Sequence, residues 1–211
     1  MSDKVAAVFE AGTQHELSRS YDELAPSYDA ELDTDLGPQR AVEVVTRHVP
    51  QEARVLDAGC GTGRVGQLLY ERGFRNLEGL DLSPGMLAQA RKKRCYTMLY
   101  EGTLGGSLDF ADDEFDAVVG VGVFVRGHAP SASLTELIRV TKPQSHVVFT
   151  LRPEFYEGSD FKSTMNGLSE SGAWRWVETT KAFNARYREF PDINLQVWVF
   201  QVLSTPSQQE A

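Results

Sequence analysis

The sequence predicts an α/β fold, with a seven-stranded, mostly parallel sheet and helices on both faces, and three observations support this prediction. A short apolar run reaches an acidic residue, Asp57, and leads through alternating glycines into a segment with the apolar spacing of a helix. A second apolar segment, residues 77–81, ends in an acidic residue and has the length of a neighbouring strand. The run 115–123 is apolar on both faces, which is typical of a central parallel strand.

The chain of 211 residues is long enough for a full core, and we expect one domain over residues 1–211. Residues 1–50 have helical apolar spacing and are predicted to form an N-terminal helical cap. Residues 51–203 are predicted to form the α/β core. The polar segment 204–211 is expected to be disordered.

Three glycines alternate in the loop after the first predicted strand, at Gly59, Gly61 and Gly63. Glycine is needed where the backbone takes a positive φ or where a ligand approaches the position of a Cβ atom. A strand, a glycine turn and a helix in this order open a nucleotide-binding unit. Asp81, at the end of the second strand, can accept hydrogen bonds from both hydroxyls of a ribose. The expected ligand is therefore an adenosine-type nucleoside.

Two cofactors compete for this loop, because residues 61–66 also satisfy the dinucleotide pattern G-x-G-x-x-G. Asp57 and the residues up to Cys60 interrupt the apolar strand that normally reaches the first glycine of that pattern. The Asp57 carboxylate would repel a pyrophosphate but would attract a sulfonium or an ammonium group. About fifty residues precede the first strand and must form a separate layer or lid. These features favour S-adenosylmethionine over NAD.

Capping residues predict the ends of the next two helices. Gly73 is predicted to end the helix after the glycine loop as a C-terminal cap. Ser83 is predicted to cap the following helix, with Pro84 at its first position. A third strand is expected near residues 96–100.

The later elements are predicted from similar signals. Residues 133–136 fit a capping box at the start of a helix, with a serine followed three positions later by a glutamate. Residues 146–151 are predicted to form the next strand. Two further strands are expected near residues 176–187 and 195–202, joined by a turn through residues 191–194.

Composition excludes several classes of partner. The formal net charge of −9 argues against a large nucleic-acid footprint, which would need clustered excess lysine and arginine. The two cysteines imply no disulfide framework, and together with four scattered histidines they lack metal-ligand spacing, so no metal is expected. The N-terminus has no signal-peptide pattern, and no apolar run approaches the ~20 residues of a membrane helix. We expect a cytoplasmic protein without a membrane partner.

The motifs resemble those of the class I S-adenosylmethionine-dependent methyltransferases. Residues 55–63 resemble the first motif of that family and residues 80–87 resemble the second. Residues 21–29 are similar to the segment before the first strand in its small-molecule branch, and the resemblance continues through 115–118 and 140–143. It implies a Rossmann-like fold and in-line transfer of a methyl group from S-adenosyl-L-methionine to a small-molecule acceptor. The product would be S-adenosyl-L-homocysteine.

The resemblance also implies roles for individual residues. Asp57, Gly59 and Gly61 would serve the methionine end of the cofactor. Asp81 would bind the ribose, and Leu82 and Leu104 would contact the adenine. The complete predicted cofactor set is Tyr21, Tyr28, Asp57, Gly59, Cys60, Gly61, Thr62, Gly63, Asp81, Leu82, Met86, Thr103, Leu104 and Val121.

Methyl transfer mainly requires that the nucleophile is positioned and water is excluded, and a base is needed only if the acceptor must lose a proton. His128 is the predicted base because its segment follows the fourth strand, although a histidine in a surface loop would look the same in sequence. Arg126 and Arg152 could bind an acidic acceptor by bidentate contacts or could be solvated loop residues.

Two other classes of protein stay open on the sequence alone. One is an NAD-type oxidoreductase, supported by the competing glycine spacing. The other is a non-catalytic S-adenosylmethionine-binding protein that works through a partner. The sequence does not determine the oligomeric state.

Overall fold

The computed structural model describes residues 3–187 and 192–203, and its centre is a sheet of eight strands. The strands are β1 (Arg54–Ala58), β2 (Asn76–Asp81), β3 (Met98–Glu101), β4 (Phe115–Gly120), β5 (Thr141–Leu151), β6 (Trp174–Thr179), β7 (Phe183–Asn184) and β8 (Asn194–Val202). Their order is β3-β2-β1-β4-β5-β8-β6, and the short β7 also pairs with β8. The first five strands are parallel, whereas β8 is antiparallel to both β5 and β6.

The predicted fold class is confirmed, but the predicted count of seven strands is wrong by one. The single strand expected near residues 176–187 is divided into β6 and β7. The register against β8 shifts between Trp176 and Glu178, and Thr180 then continues outside the strand while its N–H still donates to the Val197 carbonyl. Glu178 and Thr179 still pair with β8 after the shift, the ladder is then interrupted, and pairing with β8 resumes over the two residues of β7.

Four helices precede the sheet, in agreement with the predicted helical cap. They are α1 (Asp3–Glu10), α2 (Gln14–Leu24), α3 (Tyr28–Glu31) and α4 (Gly37–His48). A capping box starts α2, because the Thr13 hydroxyl accepts from the Glu16 N–H while the Glu16 carboxylate accepts from the Thr13 N–H. Helices α1 and α2 share a small apolar cluster of their own around Val8, Leu17 and Leu24, whereas α4 packs into the core of the sheet.

The remaining helices cover the two faces of the sheet. They are α5 (Arg64–Glu71), α6 (Pro84–Lys93), α7 (Ser133–Val140), α8 (Pro153–Gly158) and α9 (Phe161–Glu170). The predicted ends at Ser83 and Gly73 are confirmed, since the Ser83 hydroxyl accepts from the Met86 N–H and Gly73 follows α5 with φ of 98°. The capping box predicted for residues 133–136 is wrong. Glu136 instead accepts from the Leu108 N–H and pairs with Arg139, so its carboxylate holds a distant loop rather than the start of its own helix.

Two buried clusters lie on opposite faces of the sheet. One is aromatic and is centred on Phe124, Phe149, Phe161, Trp174 and Phe200. The other consists mainly of valines and leucines from α4, α5 and the strands. Strand β8 contributes to both, because Phe200 faces the first cluster while Val197 and Val199 face the second. The predicted tail 204–211 and part of the predicted turn 191–194 lie outside the described residues. Across residues 3–187 and 192–203, no helix has the length and hydropathy that crossing a bilayer requires.

Candidate active site

The glycine loop connects β1 to α5 with three glycines in the left-handed region. Gly59, Gly61 and Gly63 have φ values of 78°, 53° and 87°. The N–H groups of Gly59 and Cys60 both donate to the Leu80 carbonyl, at 2.7 and 2.9 Å, which ties the loop to β2. A Cβ atom on Gly59 would lie 2.2 Å from Cγ1 of Val123. The loop therefore requires glycine at this position for both its backbone angle and its packing.

Asp81 ends β2, and its buried carboxylate joins two segments. Oδ2 accepts from the Gly61 N–H at 2.8 Å, and Oδ1 accepts from the Ser83 N–H at 2.9 Å. Burial raises the pKa of Asp81 to about 6, against the lowering effect of these backbone hydrogen bonds. Each carboxylate oxygen can accept a further hydrogen bond, so Asp81 retains the capacity to take two hydroxyl donors.

A first cavity of about 700 Å³, part of it open to solvent, lies at the carboxyl ends of the parallel strands. Asp81 is the acidic residue in its wall. Leu82 and Leu104, which were predicted to contact the adenine, line the same cavity, together with Met86 and Thr103 of the predicted cofactor set. The structure thus brings together every residue that the sequence assigned to the ribose and the adenine.

A second cavity, of about 1200 Å³ and also partly open, adjoins the first. Its walls come from the N-terminal helices, from the glycine loop with Cys60 and Thr62, and from the ends of β4 and β5. Seven residues line both cavities: Tyr21, Tyr28, Gly59, Gly61, Val121, Gly122 and His128. The two spaces therefore meet at this shared wall.

Tyr21 and His128 form a hydrogen-bonded pair in the shared wall. The Tyr21 hydroxyl lies 2.7 Å from Nε2 of His128, and Nδ1 of His128 lies 3.1 Å from the Arg126 carbonyl. A carbonyl can only accept, so Nδ1 carries the proton and Nε2 accepts from the tyrosine in the neutral ring. Burial lowers the pKa of His128 and raises the pKa of Tyr21. The arrangement places a neutral imidazole nitrogen, able to accept a proton, where the two cavities meet.

Asp57 and Gly63 are the two predicted cofactor residues that line neither cavity. The Asp57 carboxylate points beneath the loop, where Oδ2 accepts from the Tyr96 hydroxyl at 2.6 Å and Oδ1 is buried without a hydrogen-bond partner among the described residues. Gly63 packs against Tyr96 and Ala90. Both residues stabilise the loop on its side away from the cavities. Tyr96 was not predicted from the sequence because it lies outside the motifs.

We expect the free energy of unfolding of Asp57→Asn, measured relative to that of the unmodified protein, to increase as the pH rises. Burial raises the pKa of Asp57 from 3.8 to about 7, so the folded state binds more protons than the unfolded state between these values. The Asp57 contribution is therefore fully present below pH ~4 and is lost as the pH rises through ~7, whereas an asparagine does not titrate. Urea unfolding at several pH values between ~4 and ~8 measures the difference, and a difference that is constant with pH would contradict the assignment.

Acidic residues of the N-terminal helices anchor them to the core, and these were also missed. The Asp22 carboxylate accepts from the Ser83 hydroxyl at 2.6 Å and from the Gly85 N–H at 2.7 Å. Asp29 accepts from the Thr62 hydroxyl and pairs with Lys93. These contacts hold the helices over both cavities, and the Thr62 hydroxyl is used in this anchoring.

The second cavity contains four charged side chains. Arg64 and Asp35 form a pair, with Nη1 3.6 Å from Oδ2, and burial raises the pKa of Asp35 to about 6. Glu31 comes from α3, and Arg152 follows β5. The other sequence candidate for an acidic acceptor, Arg126, is exposed and lines neither cavity. Within the described parts of the chain, no group of three His, Cys, Asp or Glu side chains could hold a metal ion.

The sequence matches known methyltransferases. Residues 55–144 match the family described as a methyltransferase domain. The chain is 38% identical over 165 residues to the human (Homo sapiens) methyltransferase-like protein 27, an alignment that covers 73% of this chain and 66% of that protein. The chain belongs to the S-adenosylmethionine-dependent methyltransferases, and this family and its fold imply S-adenosyl-L-methionine as the cofactor.

Solved structures share the fold at low identity. The [4+2]-cyclase SpnF superimposes with a TM-score of 0.72 and 16% identity, covering 92% of this chain and 97% of that one. The putative methyltransferase structure solved in complex with the Haloferax volcanii Trm112 methyltransferase activator gives a TM-score of 0.65 and 20% identity, covering 87% and 98%. The chain spans 57% to 66% of the length of three curated relatives that it matches.

Proposed function

We propose that this protein transfers a methyl group from S-adenosyl-L-methionine to a small-molecule acceptor, and that its residues 1–211 act as one domain. The observation that carries the proposal is the pair of adjoining cavities with Tyr21 and His128 in their shared wall. One cavity has the features of a nucleoside site, and the other is larger and mostly apolar. A reaction between two ligands requires such a junction, because the reacting atoms must come within ~3–3.5 Å of each other.

The nucleoside assignment of the first cavity rests on charge and on backbone shape. Asp81 would accept from the ribose hydroxyls, while Leu82 and Leu104 would contact the adenine. The methionine end would lie along Gly59 and Gly61, and at Gly61 a side chain would occupy the space that the ligand needs. Asp81 is the one charged residue among the described residues that line the first cavity, and its carboxylate also favours a ligand with a net positive charge.

A small-molecule acceptor is supported by the covering helices. Helices α1 to α3 form one wall of the second cavity, and Asp22 and Asp29 anchor them to the core. An acceptor that reacts at the shared wall must therefore fit under these helices. The space under these helices is mostly apolar and partly open to solvent, as expected of a site for a small molecule. The formal net charge of −9 makes nucleic acid an unfavourable partner.

The chain's own residues would position the acceptor, exclude water and take up a proton. S-adenosyl-L-methionine, when bound, supplies a methyl group that is already activated by its sulfonium. Apolar side chains of the second cavity would exclude water from the reacting atoms. His128 would accept the acceptor's proton at Nε2, in place of the hydrogen bond that this atom now receives from Tyr21. The Arg126 carbonyl would stabilise the resulting imidazolium through Nδ1.

Calorimetric titration with S-adenosyl-L-methionine, S-adenosyl-L-homocysteine and NAD tests the cofactor, and turnover with a cell metabolite extract tests the enzyme. We expect micromolar binding of the first two ligands, no binding of NAD, and release of S-adenosyl-L-homocysteine that depends on the extract. Binding without turnover in any extract would favour a non-catalytic binding protein. Binding of NAD alone would overturn the proposal.

Replacing His128 by Ala is expected to lower turnover by about 10²- to 10⁴-fold, the usual contribution of a general base. The dissociation constant of S-adenosyl-L-methionine should change much less, because the assigned ribose and adenine contacts remain. His15→Ala is the matched control, since His15 is exposed on α2 and lines neither cavity. Equal turnover in the two variants would remove His128 from the mechanism.

A further inference from the structure

Arg152 is a charged residue of the second cavity with a buried donor that has no partner among the described residues. It follows β5 directly, and its carbonyl accepts from the N–H groups of Phe155 and Tyr156 at 3.0 and 2.9 Å, which fixes its backbone at the start of α8. Its Nε atom is buried and has no hydrogen-bond partner within residues 3–187 and 192–203. The guanidinium therefore lies at the cavity with an unsatisfied buried donor, which costs free energy until an acceptor reaches it.

The other arginine of this cavity, Arg64, has hydrogen-bonding and ionic partners. Arg64 pairs with Asp35, and its Nη2 also donates to the Asp35 carbonyl at 3.3 Å. No such carboxylate is paired with Arg152 in the part of the chain that the structure describes. The remaining carboxylate of the cavity, Glu31, belongs to α3 and thus to the helices that cover the site. Of the two guanidinium groups, only that of Arg152 lacks a carboxylate partner among the described residues.

Most of the second cavity is apolar around these charges. Contributions come from the covering helices, from the carboxyl ends of β4 and β5, and from the start of β8. The apolar lining includes Val8, Leu24, Phe124, Val125, Leu151 and Leu195. A ligand that fills this space must bury a hydrocarbon or aromatic body, because polar groups on it would find few partners.

We infer that the methyl acceptor is a small molecule with an apolar body and a carboxylate group that Arg152 binds. This inference rests on the proposed function, since it names the acceptor class of the same site. A carboxylate matches the planar donors of a guanidinium in a bidentate pair, and it would satisfy the buried Nε. The apolar body would then extend from Arg152 towards the shared wall that contains His128.

Binding of octanoate, compared with octan-1-ol of the same chain length, tests this inference by calorimetry. Both probes are titrated into the full chain, with and without saturating S-adenosyl-L-homocysteine. Octanoate should bind at least about tenfold more tightly than octan-1-ol, and Arg152→Gln should remove this preference, as expected for a charge-assisted hydrogen bond. Arg175→Gln is the matched control, because Arg175 lies on β6, contacts Gln201 and lines neither cavity.

The results separate this inference from the proposed function. Wild-type protein that binds S-adenosyl-L-homocysteine but not octanoate, or binds octanoate no better than octan-1-ol, would overturn the acceptor class alone. An equal loss in Arg175→Gln would show an effect of net charge and would also overturn it. If Arg152→Gln weakens S-adenosyl-L-homocysteine instead of octanoate, the arginine holds the cofactor's carboxylate and the inference fails. Failure of the wild-type protein to bind S-adenosyl-L-homocysteine would count against the proposed function, while the titrations without it still test Arg152.

Discussion

Replacing Asp81 by Ala should weaken binding of S-adenosyl-L-methionine by at least about 100-fold, equivalent to ~3 kcal/mol. Hydrogen bonds to a charged group contribute ~1.5–3 kcal/mol each, and the substitution removes the proposed acceptor of both ribose hydroxyls. It also removes the acceptor of the Gly61 and Ser83 N–H groups, so the glycine loop and the start of α6 lose their common anchor. Calorimetric titration of the variant measures the loss.

Asp81→Asn and Asp109→Ala are the controls for this prediction. The asparagine keeps one carbonyl oxygen and should give an intermediate loss. Asp109 is exposed and lines neither cavity, so its replacement makes the same change in net charge without a local effect. A folded Asp81→Ala variant with an unchanged dissociation constant would refute the ribose assignment.

Gly59→Ala is expected to abolish detectable cofactor binding and to lower stability as well. A non-glycine residue in the left-handed region costs ~1–2 kcal/mol, and here the new Cβ would lie 2.2 Å from Cγ1 of Val123. Valine has little rotamer freedom with which to move away. The loop must then shift, and the Gly59 N–H loses its 2.7 Å hydrogen bond to the Leu80 carbonyl. Calorimetry and thermal unfolding measure the two effects.

Alanine substitutions at two other glycines distinguish the effect of backbone strain on stability from the effect of a side chain on cofactor binding. Gly61 has φ of 53°, and a Cβ atom added there would have no neighbouring atom within 4 Å. Gly61→Ala should therefore lose only ~1–2 kcal/mol of stability but should still lose binding. Gly106 has similar free space, lines neither cavity and should tolerate alanine in both measurements. Wild-type affinity in Gly59→Ala would show that the loop does not contact the cofactor.

The glycine loop and Asp81 could be predicted from sequence because their constraints are local. Positive φ angles restrict Gly59 and Gly61 to glycine whatever surrounds them, and a carboxylate at the end of a parallel strand has a defined position. Tyr96 and Asp29 left no such signal. Their hydrogen bonds to Asp57 and Thr62 span 39 and 33 residues, and only the packing of the chain brings the partners together.

The burial of individual side chains could not be predicted from the sequence either. Arg126 and Arg152 both follow the carboxyl ends of strands and were equivalent candidates for an acidic acceptor. The structure distinguishes them, because Arg126 is exposed in its loop while Nε of Arg152 is buried at the second cavity. The contacts of Glu136 at the start of α7 were also not predictable from the sequence. Its spacing from Ser133 fits a capping box, but Arg139 and the Leu108 N–H take its carboxylate instead.

The position of β8 has a consequence for how the chain reaches its folded state. This strand lies between β5 and β6, although it follows both in sequence, and its side chains belong to the cores on both faces. During synthesis, the glycine loop and Asp81 emerge more than a hundred residues before β8 is complete. Until then β5 has an open edge and both cores lack residues. The ligand-binding motifs of the nascent chain are therefore present before the sheet that supports them is complete. An open strand edge such as that of β5 is a site where chaperones bind and where aggregation begins.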